Sequence, residues 1–152
     1  MKGPLRNYYE SPQTTFTKAP RPSWNRRFPA TEISVSEARD WARSLLSPGT
    51  PPPVLDDALL LLSEVVTNAI THSDSGHTPD GQVTVQITRM GAIIQVDVTD
   101  SGSATTAPAV RVPTLDDDGG RGLWLVDLLA EEWGFHHDDT GGSVWFRLSE
   151  HD

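Results

Sequence analysis

The 152-residue chain contains no cysteine, which removes disulfide staples, thiol nucleophiles, thiolate zinc sites and iron–sulfur clusters together. It also lacks a long apolar run: the longest, residues 58–62, is far below the ~20 residues that cross a bilayer. The opening Met1-Lys2-Gly3-Pro4-Leu5-Arg6 is not followed by the apolar core of a secretory signal. These absences predict a soluble, cytoplasmic protein with no membrane partner. Positive charge is scarce as well, with twelve Lys+Arg against twenty-one Asp+Glu for a net −9. The bases that exist are concentrated at one end. Residues 1–29 hold Lys2, Arg6, Lys18, Arg21, Arg26 and Arg27 against Glu10 alone, a net +5, so residues 30–152 carry −14. A body of that sign argues against a direct nucleic-acid partner, which needs clustered Lys/Arg to neutralise phosphate.

What remains is enough for one folded unit, since a chain of this length buries roughly 68–70% of its unfolded surface without staples. Residues 1–23 carry Pro4, Pro12, Pro20 and Pro22 among polar side chains. Such a composition does not offset its own ordering entropy and predicts a disordered leader. The domain is expected over residues 24–150, opening with an edge strand over 24–28. Ser34 and Glu37 have capping-box spacing, and Val35, Ala38, Trp41, Ala42 and Leu45 continue at helical period. A second helix is predicted over 54–73, with a wide apolar face through Leu61, Leu62, Val65, Val66 and Ala69. Val83, Val85 and Ile87, then Ile94, Val96 and Val98, alternate with polar residues on either side of Met90-Gly91, an antiparallel hairpin. Residues 101–120 read as a long polar loop of the kind that serves as a lid. A short helix over 123–131 and strands over 133–137 and 143–148 complete the chain. The fold class predicted is α+β, a two-layer sandwich with helices on one face of a mixed, mainly antiparallel sheet.

Three places carry candidate chemistry. Glu64 and Asn68 are four residues apart and project from one stripe of the second helix. A carboxylate beside a carboxamide can orient a hydroxyl and offer oxygen to Mg²⁺. The plain alternative is the solvent side of an amphipathic helix. Asp100-Ser101-Gly102 directly follows a strand, where an aspartate can accept from a ligand amino group and a glycine allows close approach; it also reads as an ordinary turn. Gly119-Gly120-Arg121-Gly122 feeds a helix, and glycine-rich backbone at a helix N-terminus favours phosphate. It is neither a dinucleotide fingerprint nor a P-loop. The histidines add no metal site: His136 and His137 are adjacent on a strand and point to opposite faces.

The order of these three, a Glu-x-x-x-Asn helix, a strand ending in Asp-x-Gly, and a glycine-rich junction into a helix, resembles the nucleotide-binding boxes of the GHKL (Bergerat-fold) ATP-binding superfamily. Ser63-Glu64-Val65-Val66-Thr67-Asn68-Ala69-Ile70-Thr71-His72 and Gly119-Gly120-Arg121-Gly122-Leu123-Trp124-Leu125-Val126 look most like the anti-sigma-factor serine/threonine kinase branch. Gly141-Gly142-Ser143-Val144-Trp145-Phe146 and Phe28-Pro29-Ala30-Thr31 belong to the same resemblance, which covers residues 24–148.

The resemblance implies a histidine-kinase-like ATPase fold with ATP and Mg²⁺ as cofactors. It implies that Glu64 acts as, or orients, the general base and that Asn68 completes the Mg²⁺ shell. Asp100 takes the adenine amino group with Gly102 beneath the base, and Gly120, Arg121 and Gly122 hold the phosphates. It further implies a kinase acting on a Ser or Thr of an anti-sigma-factor antagonist, binding to a sigma factor, and a homodimer. Two departures stand out: Ala104 occupies a position that is often glycine, and Asp116-Asp117-Asp118 lies close to where a polyphosphate would sit. They keep open a second expectation, a non-catalytic protein-binding module of the same fold with weak or allosteric nucleotide binding.

Overall fold

A computed structural model describes residues 6–7, 22–72, 81–100, 121–138 and 141–150. Strand β1 is Arg6–Asn7 and β2 is Ser23–Pro29; helices α1 (Ile33–Leu46) and α2 (Pro52–His72) follow. Then come β3 (Gln82–Met90), β4 (Ile93–Asp100), α3 (Arg121–Leu129), β5 (Glu132–Asp138) and β6 (Gly141–Ser149). The strands form one sheet in the order β1-β5-β6-β4-β3-β2. Every pairing is antiparallel except β1 with β5. This is the α+β two-layer arrangement that the sequence predicts.

Strand parity decides where the core sits. Val83, Val85 and Ile87 of β3, Ile94, Val96 and Val98 of β4, and Val144, Phe146 and Leu148 of β6 stand on one face. All are buried in one cluster with Ala38, Ala42 and Leu46 of α1, Leu61, Leu62, Val65 and Val66 of α2, and Leu123 and Val126 of α3. The three helices therefore cover a single face, with α2 packed between α1 and α3. The hairpin register pairs Val96 with Ile87 and Val98 with Val85, and Gly91 turns it with φ of 63°, a left-handed conformation that glycine adopts without strain.

Several expectations move by a residue or two at element ends, the least determinate positions. The capping box does not form. Helix α1 begins at Ile33 behind Glu32, which makes no side-chain cap. Ser34 lies inside the first turn, buried, and its hydroxyl donates to the Pro29 carbonyl at 2.6 Å. That bond ties the helix start to the end of β2. Pairing of Arg6–Asn7 with β5 was not legible, because two residues carry no periodicity. Apart from Arg6, Asn7, Pro22 and Ser23, the 1–23 leader lies outside the described residues, as does the whole 101–120 loop. Among the described residues no helix is long and apolar enough to cross a membrane.

Candidate functional site

Chain direction brings one end of each site element to the same end of the sheet. Helix α2 starts beside Gly49 and Thr50, which accept hydrogen bonds from Arg89 at the far end of β3. It runs 21 residues, about 31 Å at the helical rise, and so reaches the opposite end, where β3 begins and Val83 pairs with Asp100. Helix α3 leads through Ala130 and Glu131 into Glu132, whose partner in β6 is Arg147. Its first residues, Arg121 and Gly122, therefore point back toward the Asp100 end. The C-terminal half of α2, the end of β4 and the start of α3 share one rim of the two-layer sandwich.

On α2 Asp56, Leu60, Thr67 and Thr71 are exposed, while Leu61, Leu62, Val65 and Val66 are buried. Glu64 and Asn68 belong to neither set. Both are half-buried, about 40° apart around the axis and one turn apart along it, at the border of the packed face. The simple reading as the solvent side of an amphipathic helix therefore gives way to a shoulder between solvent and core. Among the described residues neither side chain has a hydrogen-bond or ion-pair partner.

Asp100 has the parity of Ile94, Val96 and Val98 and so stands on the helix-covered face, at its rim. It is half-buried, and its Oδ1 accepts from the Gly142 backbone N–H at 3.3 Å. This bond orients the Asp100 carboxylate from the β6 side. Gly142 was not singled out as a site residue in the sequence; its partner lies 42 positions away, and only the Gly141-Gly142 pair hinted at a close approach. Arg121 and Gly122 form the first turn of α3, though their side chains are not among those described. Gly102 and Gly120, with Ala104 and residues 116–118, lie outside the described residues.

Helix α3 is braced from below by Trp133, whose Nε1 donates to Asp127 Oδ1 at 2.9 Å. Nothing in the spacing of Asp127 and Trp133 signalled this contact, which depends on how the α3–β5 turn closes.

The oxygen donors suit a hard cation. Among the described residues no group of three or more His, Cys, Asp or Glu could hold a metal. Mg²⁺ does not need one, because it takes one or two protein oxygens and completes its shell with water and phosphate. Glu64 and Asn68 offer that number, next to a helix N-terminus that favours phosphate.

The described residues thus assemble a helix-backed sheet with an acid at a strand end and a carboxylate–carboxamide pair on the facing helix. The profile of the histidine kinase-like ATPase domain matches residues 28–148, and the chain belongs to that family, within the GHKL superfamily. Eleven solved chains match. One is the histidine kinase domain of a blue-light activated histidine kinase from Erythrobacter litoralis, with a TM-score of 0.53 and 22% sequence identity over 81% of this chain. The present chain spans 62% of that domain's length, and the likeness is one of fold. No curated protein sequence matches the chain.

Proposed function

We propose that the protein binds ATP with Mg²⁺ at this rim and acts as an anti-sigma-factor-type serine/threonine kinase, with a sigma factor and an anti-sigma-factor antagonist as its protein partners. The observation that carries the reading is the half-buried Glu64/Asn68 pair, without a partner among the described residues, on the helix that packs over β4. Asp100, held by the Gly142 N–H, takes the adenine amino group. The start of α3, with Arg121 and Gly122, faces the phosphates, joined by Gly120 and, beneath the base, Gly102. Mg²⁺ bound with ATP would neutralise phosphate charge, and Asn68 would offer it a protein oxygen. Glu64 accepts the proton of the incoming Ser or Thr hydroxyl. That oxygen bonds to the γ-phosphorus as the bond to the β–γ bridging oxygen breaks and ADP leaves. Catalysis is then chiefly positioning and electrostatics.

The test is calorimetric titration of Mg-ATP into wild type, Glu64→Gln and Asn68→Ala, followed by γ-phosphoryl transfer to a Ser-containing antagonist. Glu64→Gln should bind nucleotide and lose transfer by on the order of 10²–10⁴. Asn68→Ala should weaken Mg-ATP binding and with it the nucleotide's stabilisation of the fold. Binding without transfer in wild type favours the protein-binding module instead, a reading that Ala104 and the Asp116–Asp118 run support. No binding in wild type overturns the nucleotide site.

A further inference from the structure

Strand β2 closes one edge of the sheet and is bonded to β3 on one side only. Two hydrogen bonds fix which way its main-chain groups point: Arg89 N–H to the Pro22 carbonyl at 3.0 Å, and Ala30 N–H to the Gly81 carbonyl at 2.9 Å. An antiparallel ladder alternates hydrogen-bonded and non-bonded pairs, so Trp24, Arg26 and Phe28 exchange bonds with β3. Ser23, Asn25 and Arg27 aim their N–H and C=O groups away from the sheet. All three residues are exposed, and these outward groups have no partner among the described residues. The row ends at Pro29, which has no N–H and whose carbonyl already accepts from Thr31 N–H and the Ser34 hydroxyl. Such an edge is a template for an added strand of about five residues.

The side chains select which strand fits. Trp24 and Arg26 stand on the helix side of β2, with Ser23, Asn25 and Arg27 on the other. Trp24 is partly buried against the core, and the Arg26 guanidinium lies 4.7 Å from the centroid of the Phe28 ring. Arg27 Nη1 donates to Gln82 Oε1 at 3.4 Å. Neither arginine forms an ion pair among the described residues. Strands β2 and β3 contain no Asp or Glu, whereas residues 30–152 carry −14. This edge is a positive strip on an acidic body. A second copy of the chain suits it poorly, because pairing β2 with itself brings four arginines into one seam, and like charges on facing strands are destabilising. Shortness and proline, which commonly blunt an edge, do not close this one: β2 runs seven residues with proline only at its end.

We propose that the outer edge of β2 docks an extended acidic segment of a partner protein as an added antiparallel strand. Two consecutive carboxylates of that segment meet Arg27 and then Arg26, and an apolar side chain two residues further on covers Trp24. The acids are consecutive because successive strand residues point to opposite faces, as Arg26 and Arg27 do. Main-chain bonds to Ser23, Asn25 and Arg27 supply the attachment, and the two arginines supply the choice of sequence. Strand β3 separates this edge from β4 and Asp100, so the docking does not rest on the nucleotide reading.

The test titrates a capped peptide, Thr-Asp-Glu-Thr-Val-Thr, into the full chain and follows amide exchange residue by residue by NMR. Exchange should slow at the Ser23, Asn25 and Arg27 amides. Two control peptides should bind at least about tenfold more weakly: one with Lys-Lys in place of Asp-Glu, and one N-methylated at Asp and the middle Thr, which keeps the charge but blocks the ladder. Arg26→Glu with Arg27→Glu should reverse the preference toward the Lys-Lys peptide. Unchanged exchange at these three amides with the peptide at about millimolar concentration, equal affinity for all three peptides, or protection on the helices instead would overturn the proposal. So would a dimer of the free chain in which these amides are already protected, since a second copy would then be the occupant. Should the double variant fail to fold, the three peptides decide on the wild-type chain alone.

Discussion

The two faces of the sheet are buried by different chemistry. Beneath the helices, Val, Ile, Leu and Phe from five strands meet apolar stripes of α1, α2 and α3, and stability there is non-directional, following the area removed from water. On the other face, burial is organised by polar contacts. Gln95 Oε1 accepts from Arg147 Nε at 3.0 Å, its Nε2 donates to Asp97 Oδ2 at 3.2 Å, and Arg147 Nη1 pairs with Glu132 Oε1 at 2.9 Å. The contrast teaches that one sheet can hold a forgiving core and a conditional one. The first tolerates swaps of similar volume, whereas the second depends on every donor and acceptor being met. The proposed nucleotide rim belongs to the first side, where Glu64, Asn68 and Asp100 stand at the border of the packed layer.

The largest effect is expected from breaking the apolar side. Phe146 is fully buried opposite Val96 and Trp133, so Phe146→Ala should destabilise by about 3–5 kcal/mol, read as a fall in the denaturant midpoint with an unchanged slope. A loss under ~1 kcal/mol would place the load elsewhere.

The polar side is sharpened by pH. Burial lifts the Asp97 carboxyl from 3.8 to about 6, so the folded state holds this proton more tightly than the unfolded chain. Stability then falls as pH rises from below 4 to above 6, by on the order of 3 kcal/mol. In Asp97→Asn that slope should vanish, because the carboxamide cannot ionise yet still offers Gln95 an acceptor. The variant should be the more stable protein at pH 8 and close to wild type at pH 4, measured by urea unfolding at each pH. An unaltered slope would remove Asp97 as its source.

The smallest effect tests the link between site and sheet. Trp133→Phe keeps the ring on the apolar side but deletes the bond to Asp127, at roughly 1–2 kcal/mol. Hydrogen exchange should quicken in α3 before it does in β6. Uniform acceleration would mean that the bond does not act on α3 in particular.

Much of this molecule is written in local spacing. Alternation in residues 83–98 fixed the hairpin and which side chains share a face, and the period of residues 58–70 fixed the buried stripe of α2, because side-chain direction repeats with backbone geometry. The candidate pair Glu64/Asn68 was legible for the same reason. Other features were decided only by tertiary structure. The insertion of β6 between β5 and β4 leaves the alternation of all three strands unchanged, so no local pattern encodes it. Ser34 carries a capping signature, yet it bonds to Pro29 because β2 ends beside it. Gly142 reaches Asp100 across 42 residues, and Gln95 looks like an ordinary solvent position of an alternating strand yet is fully buried. Spacing determines which side of an element is apolar; what stands against each side, and therefore whether a polar residue is solvated, orienting or buried, follows from contacts between distant segments that form together.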